Sequence, residues 1–249
     1  MTLKEAVMSR ISRRAYTGEP IEKNKRDVIE SLIEKINNTT ELKIELLDNG
    51  ADMVSGMKGY GFFKGVREVI VIKGDITSKE ALEKAGYFGE LIVLEAEKLN
   101  LGTCWVGGTY SKKAENLKCD NGESVFSLIT IGNVVKEKTT KEKFIRSMIH
   151  RKSKSIEDMS EYDTEMPEWF ITGMEGIVRA PSALNSQKTK VKYKNGDVII
   201  SIDYSRSFDM IDFGICKLHF EVLCGGRFEA GNDSKWSREE KSDYLGYTD

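Results

Sequence analysis

Phe88-Gly89-Glu90-Leu91-Ile92-Val93-Leu94-Glu95-Ala96 is apolar on nearly every side of a helical wheel, so a helix here has no face to give to water. Such a helix must be a central element with other structure packed around it. Read outward, it extends over about residues 78 to 99. Thr77-Ser78-Lys79-Glu80 has the form of a capping box, in which a hydroxyl and a carboxylate satisfy the orphan N–H groups of a helix start. Gly102 supplies the stop. Upstream, Leu42, Ile44 and Leu46 alternate with Lys43 and Glu45 as a half-buried strand, and Val69 to Ile72 reads as a strand buried on both faces. Downstream, Thr103-Cys104-Trp105-Val106 is a short strand that runs into Gly107-Gly108, and Val125 to Ile131 is another. Helices and antiparallel-compatible strands in this mixture predict an α+β fold.

Further out, Thr2-Leu3-Lys4-Glu5 is a second capping box, with Leu3, Val7 and Ile11 following on one helical face. That first helix is expected to end within Arg10-Ile11-Ser12-Arg13-Arg14. After Gly18 and Pro20 a second helix carries the stripe Ile21, Val28, Ile29, Leu32, Ile33 and Ile36. Gly50, Gly56, Gly59, Gly61 and Gly65 mark a glycine-rich loop between the first two strands. The far end of the chain repeats this order in shortened form. Val191 to Lys194, the turn Asn195-Gly196, and Val198 to Ile202 make a hairpin, and Asp209 to Cys224 is a second apolar helix. Phe213-Gly214 falls 125 positions after Phe88-Gly89. The matched strands Lys-Ile-Glu-Leu and Lys-Val-Lys-Tyr are 147 apart, and the difference of 22 is about the length of the glycine-rich loop that the second half lacks. The chain thus reads as a fused pair of related α+β halves.

Composition narrows the classes of function. Thirty-eight Lys and Arg against 40 Asp and Glu leave a formal charge of −2, which gives no global field to hold a nucleic acid. No apolar run exceeds four residues, far short of the roughly 20 that span a bilayer, so neither nucleic acid nor membrane is expected as a partner. The N-terminal residues show no apolar signal region, and the cytoplasm is the expected compartment. Cys104, Cys119, Cys216 and Cys224 include no CxxC pair, and only His150 and His219 could join them, so no metal site is expected.

Local charge is less even. Eight basic residues lie between Lys136 and Lys154, whereas Glu157 to Glu168 carries six acids and no base. This switch sets the expected division into an N-terminal half, residues 1–160, and a C-terminal half, residues 161–249, with the acidic stretch as linker.

No paired carboxylates, Ser-His-Asp set or Walker-type loop is present. What remains is a set of anion-binding and backbone-approach features. Arg10-x-Ser12-x-Arg14 places two guanidinium groups and a hydroxyl together, as a phosphate site needs, and equally as a basic last turn complements a helix dipole. Gly107-Gly108 permits close approach of backbone N–H groups to a ligand, or is simply a turn. Ala180-Pro181-Ser182-Ala183-Leu184-Asn185-Ser186-Gln187 combines a proline-fixed bend with small polar donors, a composition that ordinary loops share.

Taken in this order, the segments resemble the FMN-dependent nitroreductase family. Arg10, Ser12 and Arg14 match its RxSxR motif, and Gly102-Thr103-Cys104-Trp105-Val106-Gly107-Gly108 after a buried helix is similar to its LGLGTCWxGG-type segment. Ala180 to Gln187 is similar to its APSxxNxQ signature, and Arg151-Lys152-Ser153-Lys154 to its basic phosphate-contacting stretch. In ordinary members APSxxNxQ follows RxSxR closely, whereas here it lies about 170 residues later, and Gln187 is followed by Lys188 where the family has proline. The chain therefore resembles the fused single-chain branch, a monomer whose dimer interface is internal, and the resemblance implies an α+β fold of two related halves, each with a mostly antiparallel sheet and a buried central helix, arranged as a pseudo-dimer. The resemblance implies bound FMN, NADH or NADPH as electron donor, and a nitro compound, quinone or similar small molecule as acceptor. It further implies that Arg10 and Ser12, with Arg151 or Lys152, hold the phosphate. Arg14 would face the flavin pyrimidine, Gly107 and Gly108 its reactive edge, and Pro181, Ser182 and Asn185 would contact it from the other half. No side chain is expected to be catalytic in its own right, since the cofactor carries the chemistry. The alternatives are an FMN-binding or redox-sensing protein without turnover, and a structural protein with no cofactor.

Overall fold

The computed structural model describes residues 1–54, 63–108, 117–120, 122–135 and 153–239. Gly56, Gly59 and Gly61 of the glycine-rich loop, and most of the basic run from Lys136, lie outside these residues. The chain forms two compact units. One comprises Met1–Met8, Ser78–Leu91 and Arg151–Asp249, the other Ser9–Thr77 and Ile92–His150. Both are discontinuous in sequence, unlike the division at residue 160 that the charge switch suggests, because the long central helix changes unit at Leu91.

The unit Ser9–Thr77 with Ile92–His150 is built on four antiparallel strands: β1 (Lys43–Leu47), β2 (Glu68–Gly74), β3 (Gly102–Val106) and β4 (Ser124–Gly132), in the order β1-β2-β4-β3. All seven residues of β2 are buried, as expected of its continuous apolar run, and β1 exposes Lys43 and Glu45 as its alternation predicts. Helix α2 (Lys23–Thr39) buries Ile29, Leu32, Ile33 and Ile36 of the predicted stripe. Gly50 does not belong to a loop: it opens a short helix, α3 (Gly50–Val54), and a β-carbon there would lie 2.9 Å from Val66. Tyr16, Met53, Val69, Val71, Val106 and Leu128 share one apolar cluster.

The other unit begins with α1 (Leu3–Ser9), and its predicted capping box is present: Glu5 N–H donates to Thr2 Oγ1 at 3.2 Å and Thr2 N–H to Glu5 Oε2 at 2.9 Å. The central helix α4 (Lys79–Lys98) starts differently from expectation. Ser78, not Thr77, caps it by accepting from Ala81 N–H at 3.1 Å, and Thr77 instead donates to Asp75. At its far end Asn100, with φ of 58°, makes the left-handed stop, while Asn100 N–H donates to Glu97 O and Leu101 N–H to Ala96 O. Gly102 is therefore not the helix stop. Every residue from Phe88 to Ala96 is buried, as the all-round apolar pattern demands.

The stretch read as an acidic linker is folded. Residues after Ser155 form α5 (Ile156–Met159), with a reciprocal Ser155–Asp158 capping box, then β5 (Ser160–Tyr162), which pairs in parallel with β6 (Thr189–Lys194). The acids are exposed side chains of short elements, a pattern that composition alone cannot tell from a linker. Between them and β6 lies α6 (Glu168–Arg179), which the sequence reading passed over. The predicted hairpin is present: Asn195 and Gly196, with φ of 53° and 86°, join β6 to β7 (Asp197–Ile202) in the doubly left-handed turn such sequences favour. Helix α7 (Ser207–Cys224) is buried at every position from Asp209 to Val222, and β8 (Arg227–Phe228) and β9 (Ser234–Ser237) complete a sheet ordered β5-β6-β7-β9-β8.

Within this unit α4 and α7 cross in backbone contact. A β-carbon on Gly86 would lie 1.9 Å from Ile211 O, and one on Gly214 1.9 Å from Glu83 O. Gly86→Ala and Gly214→Ala should each destabilise the folded chain by about 3 kcal/mol. Gly107→Ala, whose β-carbon meets nothing within 4 Å, should change stability by less than about 0.5 kcal/mol. Urea denaturation of the three variants checks this.

Candidate functional site

The Arg10-x-Ser12-x-Arg14 segment does not sit in a helix. α1 ends at Ser9 with no basic residue in its last turn, so Ser12 and Arg14 lie beyond the helix and only Arg10 stands next to its C-terminus. The chain instead runs along the edge of the four-stranded sheet. Ser12 forms a parallel bridge with Thr103 of β3, Arg13 N–H donates to Thr103 O at 2.8 Å, and Lys64 N–H donates to Arg14 O at 2.9 Å. Extended backbone alternates its side chains. Arg13 and Ala15 point into the protein, while Arg10, Ser12 and Arg14 fall on the opposite face and are partly exposed.

The inward residues fix the segment. Arg13 Nη2 donates to Val135 O at 2.8 Å, and the buried Tyr16 hydroxyl donates to Arg13 O at 3.0 Å and meets Thr130 Oγ1 at 2.7 Å. Burial holds the Tyr16 hydroxyl well above its ordinary pKa, so it remains protonated as a structural donor. The role of Gly102 is now clear: a β-carbon there would lie 2.2 Å from Val134 Cγ1 and 3.0 Å from Arg13 Cβ, so only glycine lets the segment dock on β3. On the outer face Arg10 Nη2 approaches Ser12 Oγ at 3.5 Å.

β3 leads into Gly107-Gly108, both exposed. Neither has the positive φ that favours glycine, and a β-carbon on either would meet nothing within 4 Å. Neither backbone strain nor packing among the described residues requires glycine there.

The Ala180–Gln187 loop belongs to the other unit and follows α6. Three of its non-glycine residues are left-handed: Leu184, Asn185 and Gln187, with φ of 56°, 51° and 45°. Such conformations cost L-residues about 1 kcal/mol or more each and persist only where surroundings enforce them. Inside the loop, Asn185 N–H donates to Ser182 O at 2.9 Å and Gln187 N–H to Ser182 Oγ at 3.2 Å. Ser182 Oγ is the acceptor in that bond. Outside anchors lie at both ends. Ala183 N–H donates to Asp212 Oδ2 at 2.9 Å, and Gln187 Nε2 to Val178 O at 3.1 Å. Lys154 donates from its backbone to Gln187 Oε1 at 2.9 Å and from Nζ to Gln187 O at 2.7 Å. Ser186 Oγ is buried and has no hydrogen-bond partner among the described residues. Arg151 and Lys152 lie outside the described residues.

Asp212 escaped the sequence reading, whereas Lys154 and Gln187 lay inside the quoted motifs without an individual role assigned to them. A signal for Asp212 was present, a carboxylate inside the run Met210-Ile211-Asp212-Phe213-Gly214-Ile215 of a helix with no polar face. Burial pushes its pKa up to about 8, with neighbouring Asp209 adding to the rise and Ala183 N–H and Lys188 opposing it. A cleft of about 600 Å³ between α2 and β1 carries no comparable chemistry, since Lys43 is paired with Asp120 and Glu123, and Lys73 with Glu45. Among the described residues no group of three His, Cys, Asp or Glu could hold a metal ion, and no helix is long and apolar enough to cross a membrane.

Two antiparallel-rich sheets with their buried helices define an α+β protein of the nitroreductase fold. The sequence matches the family model described as "Putative TM nitroreductase" over residues 2–224, and the chain belongs to this family. A solved structure of a "putative nitroreductase" from Thermotoga maritima MSB8 is 23% identical, with 95% of this chain and 92% of that one covered and a TM-score of 0.65. Shorter likenesses include a nitroreductase family protein from Clostridium novyi NT, at 18% identity, 58% and 92% coverage and a TM-score of 0.46. Another is a "putative nitroreductase in complex with FMN" from Desulfovibrio desulfuricans, at 21% identity, 57% and 94% coverage and a TM-score of 0.42. No curated protein matches the sequence.

The Asp212 carboxyl yields a prediction. In the folded chain it keeps its proton up to about pH 8, whereas in an unfolded chain an Asp loses it near pH 4, roughly. Folding takes up a proton in that window, so this group lowers stability as pH rises through it. Asp212→Asn cannot ionise and removes the loss. Its stability relative to wild type should rise between about pH 5 and pH 8, by about 1 kcal/mol or more, and level off above. Urea midpoints across that range test it, and a difference independent of pH would refute the assignment.

Proposed function

We propose that this chain is an FMN-dependent oxidoreductase that takes electrons from NADH or NADPH and delivers them to a nitro compound, quinone or similar small acceptor. The observation that carries this reading is the docking of the Arg10-Ser12-Arg14 segment along β3, whose end is the open Gly107-Gly108 turn. Gly107 lies four residues beyond Thr103, the partner of Ser12, which is about 13 Å along a strand. One edge thus carries the Arg10 and Ser12 donors at one end and the exposed Gly107-Gly108 backbone at the other, an arrangement that suits an elongated anionic nucleotide.

The residues present fit that group. Arg10 and Ser12 would hold the phosphate by charge-assisted hydrogen bonds, joined by Arg151 or Lys152. Arg14 would place positive charge beside the pyrimidine end, and Gly107 and Gly108 would direct N–H groups at the reactive edge. From the Ala180–Gln187 loop, Pro181, Ser182 and Asn185 would contact the same flavin, Ser182 by donating from its hydroxyl. FMN, when bound, supplies the two-electron chemistry, and the side chains bind, orient and tune it.

We further propose that the chain acts as a monomer with an internal pseudo-dimer interface. Gly86 and Ile211, which touch where α4 and α7 cross, are 125 positions apart, the offset that relates Phe88 to Phe213. Equivalent positions meet in this way on a local two-fold axis. Cys104, Cys119, Cys216 and Cys224 form no disulfide, which suits the reducing cytoplasm.

Purified protein should be yellow and release one FMN per chain on denaturation. It should oxidise NADH or NADPH in the presence of a quinone. A colourless protein that fails to take up added FMN would refute the proposal, and bound FMN without turnover would reduce the chain to a flavin-binding protein. Arg14→Ala should weaken FMN binding by about 1 to 3 kcal/mol and make the midpoint potential more negative, because positive charge beside the ring favours its reduced, more anionic state. Equilibrium redox titration reads this.

A further inference from the structure

The Ala180–Gln187 loop has no regular hydrogen-bonding ladder to hold it. Between Ser182 and Gln187 its internal bonds close one tight turn, and three residues adopt left-handed conformations that L-residues rarely take. Leu184 is 74% exposed, so its side chain buries little to hold the turn. The loop's geometry therefore depends on outside anchors. At the Gln187 end there are several, from Lys154 and to Val178. At the Ser182 end there is the 2.9 Å bond from Ala183 N–H to Asp212 Oδ2.

Asp212 is expensive where it stands. It lies in the part of α7 that is buried at every position, only 8% exposed, and Asp209, one turn earlier, adds like charge. Lys188 is the opposing cation, but its Nζ is bonded to Asp209 Oδ2 at 2.8 Å and to Ser205 Oγ at 3.0 Å. An apolar residue would be the cheaper choice for helix packing. The carboxyl is explained by what it holds.

We propose that Asp212 is a positioning residue for the flavin: by fixing Ala183 N–H it sets the direction in which Ser182 and Asn185 face the cofactor. This rests on the reading of the loop as part of the flavin site. Burial, which keeps the carboxyl largely protonated at neutral pH, suits the role, since a neutral acceptor fixes the loop without setting a charge beside an anionic ligand.

The test compares wild type, Asp212→Asn and Asp212→Ala by FMN fluorescence-quenching titration at pH 7, together with NMR hydrogen exchange of the Ala183 amide in the FMN-free proteins. Asn retains an acceptor and should bind FMN within about threefold of wild type. Ala leaves the amide without a partner and should weaken FMN by at least about tenfold. The Ala183 amide should be protected in wild type and Asp212→Asn and exchange freely in Asp212→Ala. Equal affinity in Asp212→Ala and wild type, equal losses in both variants, or a freely exchanging Ala183 amide in wild type would each overturn the proposal. If Asp212→Ala does not fold, Asp212→Asn decides alone: loss of FMN affinity or of Ala183 protection overturns it. Failure of wild type itself to bind FMN is a separate result, and it removes the flavin reading on which the proposal stands.

Discussion

Where α4 crosses α7, Gly86 and Gly214 leave no side chain between the two backbones, and the carbonyls of Ile211 and Glu83 occupy the space a β-carbon would fill. Close approach brings the polar side chains that flank the crossing into one dry layer. Lys217 Nζ reaches Glu83 at 2.6 Å and also donates to Glu229 O and Gly231 O. Tyr87 donates to Glu221 at 2.6 Å, and His219 lies between Gly176 O and Glu90 Oε1, each at 3.0 Å. Burial pushes Glu221 up to about 7, and it moves Glu83 up and Lys217 down against their mutual attraction. Such pairs add little net stability, but breaking one strands a buried charge. A shift of either helix by one residue would separate every pair, so the crossing has one register.

That register reaches the loop. Asp212 follows Ile211, the residue under Gly86, and is therefore held where the helix contact sets it. The Ala180–Gln187 loop takes its conformation from side-chain anchors on this fixed helix and on Lys154. The Arg10–Arg14 segment is organised differently. Its backbone is paired to β3, and Gly102 removes the one side chain that would keep it away. Backbone pairing sets position along the sheet, whereas side-chain anchors can hold a strained turn that no ladder would tolerate. Both devices spend local stability on geometry, as sites commonly do.

Much of the fold was legible because it rests on short-range rules. The Thr2–Glu5 capping box, the Asn195-Gly196 hairpin, the all-round apolar helix and the uninterrupted β2 strand each depend on residues within a few positions of one another. Of the candidate site, Arg10, Ser12 and Arg14 and the pair Gly107-Gly108 were picked out by residue type and spacing alone, and the structure leaves the first three partly exposed and the two glycines exposed. Gly102 was misread as a helix stop because glycine serves a stop and a close approach equally well, and only the position of Val134 and Arg13 distinguishes them.

Local sequence pattern was enough for the long elements, the two buried helices among them, and for the residue types at the candidate site, but not for α3, α5, β5 and α6. Tertiary structure decided what those residues touch. The acidic stretch at 156–162 became a helix turn and a strand because β6, about 30 residues later, offered it a partner. Asp212 became an anchor because Ala183 folds back onto α7. Hydrogen-bond partners far apart in the chain leave no periodic trace in it, since nothing in local propensity records which distant N–H a buried carboxyl will meet.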